Sequence, residues 1–402
     1  VAIISKSMIR RAMRKSSRAA RAISITVFLI FVLLYFLKGS GLPGSDAAES
    51  ILGLAVLNIN SAADKAGGVV AEATSSLPIS DSGVENDTGT GSNPEAYKVQ
   101  DPSQSQSSQK IIIEDSALPL IALFCPEGHC AENLEHMINA SEKVHCALFD
   151  VNVEGIVKAL KRKNALLVVD DSSYEPAISF ARKDTAAQLS HNKFCVFDDK
   201  IVWTGSFNPT AGGSARNDNN VLIMFSEAAA RNYEAEFQEL WNGQYSSGAQ
   251  TEHPVLSLNG TQVETYFCPE DWCANRVLKT LSMANSSIEF MTYSFTHDSI
   301  ADMLLKKHAE GLAVRGVMEK QQNSKYSVFP KLNVSGMEVY WDKNPLLMHH
   351  KVFIIDNRIV VTGSFNPSSN ADTRNDENLV IVDDQRIALA FENEFARVFP
   401  GR

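Results

Sequence analysis

Short apolar runs and amphipathic stretches alternate from about residue 111 to the C-terminus. The runs VHCALFDV from Val144, ALLVV from Ala165, SIEFMTYSF from Ser287 and LAVRGVM from Leu312 read as buried strands. Between them, AENLEHMINAS, VEGIVKALKRK, ANRVLKTLSMA and DSIADMLLKKHAEG repeat apolar residues at helical spacing. Paired runs follow, FCVF with IVW and VFII with IVV, each joined by a polar triplet, Asp198-Asp199-Lys200 or Asp356-Asn357-Arg358. These predict two hairpins with tight turns. Amphipathic stretches from Glu227 and from Gln385 close each set. Alternation of this kind predicts an α/β body.

The pattern occurs twice. HNKFCVFDDKIVWTGSFN from His191 returns as HHKVFIIDNRIVVTGSFN from His349, at a constant offset of 158. FCPEGHC from Phe124 returns as FCPEDWC from Phe267, at an offset of 143, so the second repeat holds 15 more residues between its motifs. That insertion, around SKYSVFPKLNVSGMEVYWDK, is expected to line one side of a cleft. The organisation predicted is a half at 111–245 and a half at 258–402. Nearly 290 residues suffice for two halves with a shared core.

The repeated polar residues carry the chemistry. Strand side chains alternate faces, so His191 and Lys193 share a face, as do His349 and Lys351. Ser206 with Asn208, and Ser364 with Asn366, are likewise spaced by two. Lysine, serine and asparagine donate to phosphate oxygens; one imidazole can attack phosphorus while the other moves the leaving group's proton. The two lysines supply the positive charge, so neither metal nor cofactor is called for. Asp198 and Asp356 fall at the turns with the wrong parity to join the histidines and read as structural. One HxK alone would read as a polar strand face; two copies with GSFN attached at one offset do not.

This pattern, HxK, four residues, Asp, six residues, GSxN, resembles the phospholipase D superfamily, and in detail its small branch containing the endonuclease Nuc and mitochondrial cardiolipin hydrolase. The resemblance covers about residues 115–402. It implies two mixed β-sheets flanked by helices, related by a pseudo-twofold axis. It also implies metal-independent phosphodiester cleavage through phosphohistidine, with one chain sufficient for the site. The branch carries a glutamate before the last asparagine of the motif. Glu377 supplies it in the second repeat, whereas the first has Asn219. By the pattern of two-motif relatives, Glu377 would hold His191, making it the nucleophile, and Asn219 would face His349, the general acid. The rival arrangement has Glu377 holding His349 in its own half. In the bland reading, Asn219 orients its histidine as well as a carboxylate would.

The first 110 residues are of another kind. Residues 1–21 are basic with no acidic residue; 22–38 are apolar but for the final Lys38. The apolar run Ala22–Leu37 has 16 residues, short of the roughly 20 that span a bilayer, and snorkelling of Arg21 and Lys38 would complete it. The expectation is a single-pass transmembrane anchor with a cytoplasmic N-terminus and an extracytoplasmic body. A signal peptide cleaved near Ser45-Asp46-Ala47, giving a secreted protein, is the rival. Met8 is a candidate natural start, and residues 39–110 read as a disordered linker.

An oxidising location suits the cysteines. Cys125 with Cys130 and Cys268 with Cys273 share one spacing and read as two local disulfides, with zinc the competitor because His129 adjoins Cys130. Cys146 and Cys195 lie in strands and are expected as buried thiols, a third bridge being the lesser reading. Sequons at Asn86, Asn139, Asn259, Asn285 and Asn333 fit the outside but arise by chance in a chain this long. Charge bears on the substrate. The chain carries −10 and its body near −12, which disfavours non-specific nucleic-acid binding. Lys320, Lys325, Lys331 and Lys343 leave room for a local basic patch. A phospholipid is therefore the first substrate class and single-stranded nucleic acid the second; a non-catalytic surface protein comes last.

Overall fold

Hydrophobic alternation sets the strands, and a computed structural model shows how they pair; it describes residues 111–114 and 118–400. The basic segment, the anchor, the linker and the sequon at Asn86 lie outside the described residues. In chain order the strands are β1 (Ile112–Glu114), β2 (Ile121–Cys125), β3 (Val144–Leu148), β4 (Leu166–Val169), β5 (Arg182–Lys183), β6 (Lys193–Phe197), β7 (Ile201–Gly205) and β8 (Asn219–Phe225). They continue as β9 (Val255–Leu258), β10 (Thr261–Cys268), β11 (Ser287–Thr292), β12 (Ala313–Met318), β13 (Glu338–Trp341), β14 (Lys351–Ile355), β15 (Ile359–Gly363) and β16 (Glu377–Asp383). One sheet runs β2-β8-β7-β6-β3-β4-β5. The other runs β1-β9-β10-β16-β15-β14-β11-β12-β13, the same seven-strand order with β1 and β9 added at one edge.

That edge departs from the expected halves. β1 lies in the segment assigned to the first half, yet it pairs in parallel with β9 of the second sheet. β9 itself begins at Val255, before the expected start of the second half. A three-residue strand cannot hold a sheet position alone, and the open edge of β9 gives it a partner.

The helices among the described residues include α1 (Cys130–Ala140), α2 (Glu154–Arg162), α3 (Ala211–Ala215), α4 (Glu227–Trp241), α5 (Cys273–Ser282), α6 (Asp298–Ala309), α7 (Phe329–Asn333), α8 (Ser369–Thr373) and α9 (Gln385–Val398). The two long closing helices start at matched caps: Ser226 accepts from the Ala229 amide and Asp384 from the Arg386 and Ile387 amides. Both feed one shared core. Tyr233, Phe237 and Leu240 of α4 meet Phe391 and Phe395 of α9 there, with Phe194 and Val196 of β6 and Val352 and Ile354 of β14. The opposite face of β14, Phe353 and Ile355, packs into a second cluster with Val277, Ile300 and Leu304 of α5 and α6. A long apolar run is thus a strand buried on both faces.

Both hairpins turn through two left-handed residues, Asp198-Asp199 and Asp356-Asn357, with φ between 51° and 55°. This is the turn that matches strand twist. The aspartates also tie down a neighbouring loop. Asp198 Oδ1 accepts from the Glu142 and Lys143 amides at 2.8 and 2.7 Å. Asp356 accepts from the amides of Asn285, Ser286 and Ser287.

All six cysteines are bridged, Cys125–Cys130, Cys268–Cys273 and Cys146–Cys195. The expectation of buried thiols at Cys146 and Cys195 is corrected. Antiparallel register sets them directly opposite on β3 and β6, with Cα atoms 4.1 Å apart. Most of the 15 extra residues fall between β12 and β13, the counterpart of β5, and include α7 at the sheet's outer edge, where Phe329 stacks on Trp341 and Lys331 pairs with Asp298 and Asp302. Among the described residues no helix is long and apolar enough to cross a membrane.

Candidate active site

Each HxK segment is pinned by the other half. The His191 amide donates to the Asp376 carbonyl at 2.9 Å, and the His349 amide to the Asp218 carbonyl at 2.8 Å. Asp376 and Asp218 lie just ahead of β16 and β8, so each histidine-bearing segment enters its sheet beside the start of the opposite half's last strand. Cross-links between the central strands complete the seam: Thr204 Oγ1 donates to Asn378 Oδ1 at 2.6 Å, and Asn220 Nδ2 to Thr362 Oγ1 at 2.7 Å.

The ring partners are exchanged in the same way. His191 Nδ1 lies 2.7 Å from Glu377 Oε2, and both side chains are almost fully buried. His349 Nδ1 lies 2.9 Å from Asn219 Oδ1 and 3.0 Å from the Ser206 carbonyl. Ser364 Oγ donates to Glu377 Oε2 at 2.6 Å, while Ser206 Oγ stands 3.2 Å from Asn219 Oδ1. The motif serines thus steady the residues that hold the rings. Each serine also accepts from the amide of the second residue of its neighbouring strand, Asn220 or Asn378. Glycine before each serine is enforced by crowding. Gly205 and Gly363 have φ of 145° and 139°, and a Cβ there would strike the carbonyl oxygen of Asn220 or Asn378.

The lysines lie buried under the histidines. Lys193 Nζ donates to the His191 carbonyl at 2.8 Å, and Lys351 Nζ to the His349 carbonyl at 3.1 Å. Lys351 Nζ is also 2.9 Å from His349 Nε2. Because both partners of His349 Nδ1 are acceptors, Nδ1 carries the proton and Nε2 receives the lysine's. Asn366 Oδ1 is 3.4 Å from the Ser294 amide; Asn208 Oδ1 is buried with no hydrogen-bond partner among the described residues.

Two aromatic side chains complete the centre and are not singled out by the sequence. Phe149 meets His191 edge to face with ring centroids 5.0 Å apart, and Tyr293 meets His349 at 4.6 Å. Lys193 and Lys351 lie over the same two rings. Phe149 and Tyr293 hold equivalent places, since their amides donate to the carbonyls of Asn192 and His350, the middle residues of HxK. The signal is there in the aligned ends of VHCALFDV and SIEFMTYSF, but nothing in a strand's last residue announces a site.

Behind this layer the halves diverge. His350 sits on Glu394 at 2.9 Å, and Arg397 binds both Glu394 and Asp218. Burial works to raise the Glu394 carboxyl, but its bonds to Arg397 and His350 outweigh this and hold it at about 2. In the first half Asn192 Nδ2 donates to Glu236 Oε1 at 3.0 Å. Burial and the charges of Glu270, Asp376 and Glu239 push Glu236 well above the carboxylate range. Burial and neighbouring acids likewise lift Glu270 to about 7 and Asp376 to about 8.

The basic patch allowed for by the sequence is largely matched by acids. Lys331 pairs with two aspartates, and Lys320 and Lys343 share a cavity of about 390 Å³ with Glu319 and Asp342. Lys325 lies over the Tyr326 ring.

The comparisons agree with this geometry. A family model described as cardiolipin synthase, PLD-like domain, matches residues 150–241 and 277–399, more than half of the chain. A phospholipase D of Rickettsia conorii is 33% identical over 147 residues, 36% of this chain and 74% of that protein. A mitochondrial cardiolipin hydrolase of Chlamydomonas reinhardtii is 28% identical over 183 residues, 39% of this chain and 82% of that protein. In fold, the chain is similar to a crystal structure of phosphatidylserine synthase from Haemophilus influenzae, with a TM-score of 0.52 at 11% identity over 69% of this chain and 86% of that one. With two HxK motifs exchanged across one seam, the chain belongs to the phospholipase D superfamily and is an enzyme of its phosphodiester-hydrolase type.

Proposed function

We propose that this chain cleaves phospholipid phosphodiesters by a two-step mechanism with His191 as nucleophile and His349 as general acid and base. The observation that carries the reading is the unequal partner set: a carboxylate on His191 Nδ1, an amide on His349 Nδ1. With Nδ1 bound to Glu377, Nε2 of His191 is the nitrogen directed at phosphorus. Its attack forms a P–N bond, breaks the bond to the leaving oxygen and leaves positive charge on the ring, which Glu377 offsets. His349 gives its Nε2 proton to that oxygen, then takes one from the water that cleaves the P–N bond. Before this, substrate phosphate must draw Lys351 off Nε2, so binding and protonation of His349 are linked. Lys193 and Lys351, with Asn208 and Asn366, would bind the phosphate oxygens.

The acidic body and the acid-matched lysines favour a lipid over a nucleic acid, whose binding draws on a basic face. The basic and apolar N-terminal segments support a single-pass anchor that would hold the enzyme at its substrate's surface. The test is to assay the full chain, in mixed micelles, against phospholipid and against single-stranded DNA, and to trap the intermediate for mass spectrometry. Lipid turnover with phosphate on His191 is the expected result. Phosphate on His349 alone would reverse the roles, and DNA turnover without lipid turnover would make the chain a nuclease.

A further inference from the structure

The offset of 158 that relates the two catalytic motifs also relates α4 to α9, and there the repeat breaks in charge. Glu236 corresponds to Glu394, and Asp376 to Asp218. These are the same acids in both halves. Their counter-cation is not repeated: the position of Arg397 is taken by Glu239, and that of His350 by Asn192. In the second half Arg397 Nη2 bridges Glu394 and Asp218. In the first half a third carboxylate stands where the guanidinium should be, and Glu270 adds a fourth.

The geometry of the acids is that of a ligand set. Oxygens of Glu236, Glu239 and Glu270 all lie within 4.8 Å of one another. Two oxygens across a calcium ion, each at about 2.4 Å, would stand about 4.8 Å apart. Asp376 supplies an independent indication. It is only 3% exposed, and its Oδ2 has no hydrogen-bond partner among the described residues. The Ser246 amide donates to Asp376 Oδ1 at 2.7 Å, and Gly248, two residues on, lies against the Glu239 and Glu270 carboxylates, so Asp376 adjoins the cluster. One Glu270 oxygen, Oε2, is also buried and without a partner among the described residues. Asn344, which donates to Asp218 at 2.8 Å, is replaced at the matching position by Ala186. Buried acids are normally paired or bind a metal. Among the described residues no ion pair within 4 Å reaches this set. Access exists, since Glu236 and Glu239 line a cavity of about 420 Å³ with Thr251 and the exposed Arg231.

We infer that Glu236, Glu239 and Glu270, with the buried Asp376 carboxylate beside them, bind a calcium ion that replaces the Arg397 guanidinium of the other half. All donors are carboxylate oxygens, which selects a hard cation over zinc or copper. Calcium accepts this irregular set more readily than magnesium, whose shell is smaller and stricter. The role is structural. Glu236 holds Asn192 and the Asp376 carbonyl receives the His191 amide, so the ion braces the segment that carries His191 from behind. It takes no part in the chemistry, and the inference does not rest on the mechanism proposed above.

The experiment uses the full chain in detergent, stripped with EDTA and exchanged into metal-free buffer. Calorimetric titration with calcium chloride should show one saturable site, and calcium at about 100 times its Kd should raise Tm by roughly 5 °C. Glu239→Arg, which copies the other half, should abolish the binding and melt above the wild type in EDTA. Glu270→Gln, a gentler change, should weaken calcium at least about tenfold and serves if the arginine variant does not fold. Absence of binding by the wild type at about 10 mM calcium, roughly ten times the weakest Kd range of protein calcium sites, would overturn the site. So would equal binding by the Glu270→Gln variant. Neither readout depends on turnover of any substrate.

Discussion

The two halves carry one backbone plan around the seam and different chemistry on either side of it. Around the motif they match residue for residue: two left-handed hairpin turns, two crowded glycines, two lysines on the carbonyl of their own histidine. One position beyond, they part. His191 has a carboxylate and His349 an amide. Cys146 and Cys195 bridge β3 and β6, whereas the same register on β11 and β14 opposes Phe290 to Phe353, rings 6.2 Å apart. Arg397 answers the acids behind one histidine, and Glu239 joins those behind the other. Duplication fixes the scaffold because both halves must present the same edge to each other. The divergence reaches the seam itself, where Asn192 bonds to Asn378 and its counterpart His350 to Asn220, and the proposed two-step reaction would ask unlike things of the two histidines.

The largest effect should come from breaking the catalytic pair. His191→Ala and His349→Ala should each lower turnover by at least about 10³-fold with the melting curve retained, since each removes a group the chemistry uses directly. Glu377→Gln should cost about 10²-fold in kcat with KM little changed, because its bond forms behind the ring and not on substrate. Asn219→Asp should cost less than about tenfold. Steady-state kinetics on one lipid check all four, and equal losses in the Glu377 and Asn219 variants would remove the functional difference between the halves.

A middle effect belongs to the strand bridge. Cys146→Ala with Cys195→Ala should lower stability by about 2–4 kcal/mol, read by chemical denaturation. Phe290→Ala, which opens the corresponding place in the second half, should cost a similar 3–5 kcal/mol by leaving a cavity. A much smaller loss in either would show that one half carries the stability of both.

The smallest effect is a pH limb. Glu394 is held at about 2 in the fold against an ordinary 4.5. A depressed pKa means that the unfolded chain binds the proton first. The group's stabilisation is therefore present above about pH 4.5 and is lost as pH falls from there toward 2. Glu394→Gln should flatten that part of a Tm-against-pH curve and leave the neutral region parallel to the wild type. Glu236→Gln, in the first half, should leave the acid limb in place.

Much of the site is legible along the chain itself. His191, Lys193, His349 and Lys351, the serines and the turn aspartates all stand in the repeated motif, and strand parity puts each HxK on one face. The two short disulfides are legible from their shared spacing. The Cys146–Cys195 bridge is not, because strand pairing register between β3 and β6 is set by packing over a separation of 49 residues. Phe149 and Tyr293 escape notice because an aromatic at a strand's end is ordinary core until its neighbour is known. The edge strand β1 joins the sheet of the other half because order along the chain does not say which sheet edge is open.

By itself the sequence determined a duplicated α/β body and the repeated His, Lys, Ser and Asn set, since periodicity and a fixed offset are properties of one dimension. Which histidine meets Glu377 and which meets Asn219 was decided only in three dimensions. Both residues are thirteen positions from their own motif serine and well over a hundred from the ring they hold. The exchange exists because each HxK segment hydrogen-bonds to the opposite repeat, a contact between halves that local propensity cannot encode.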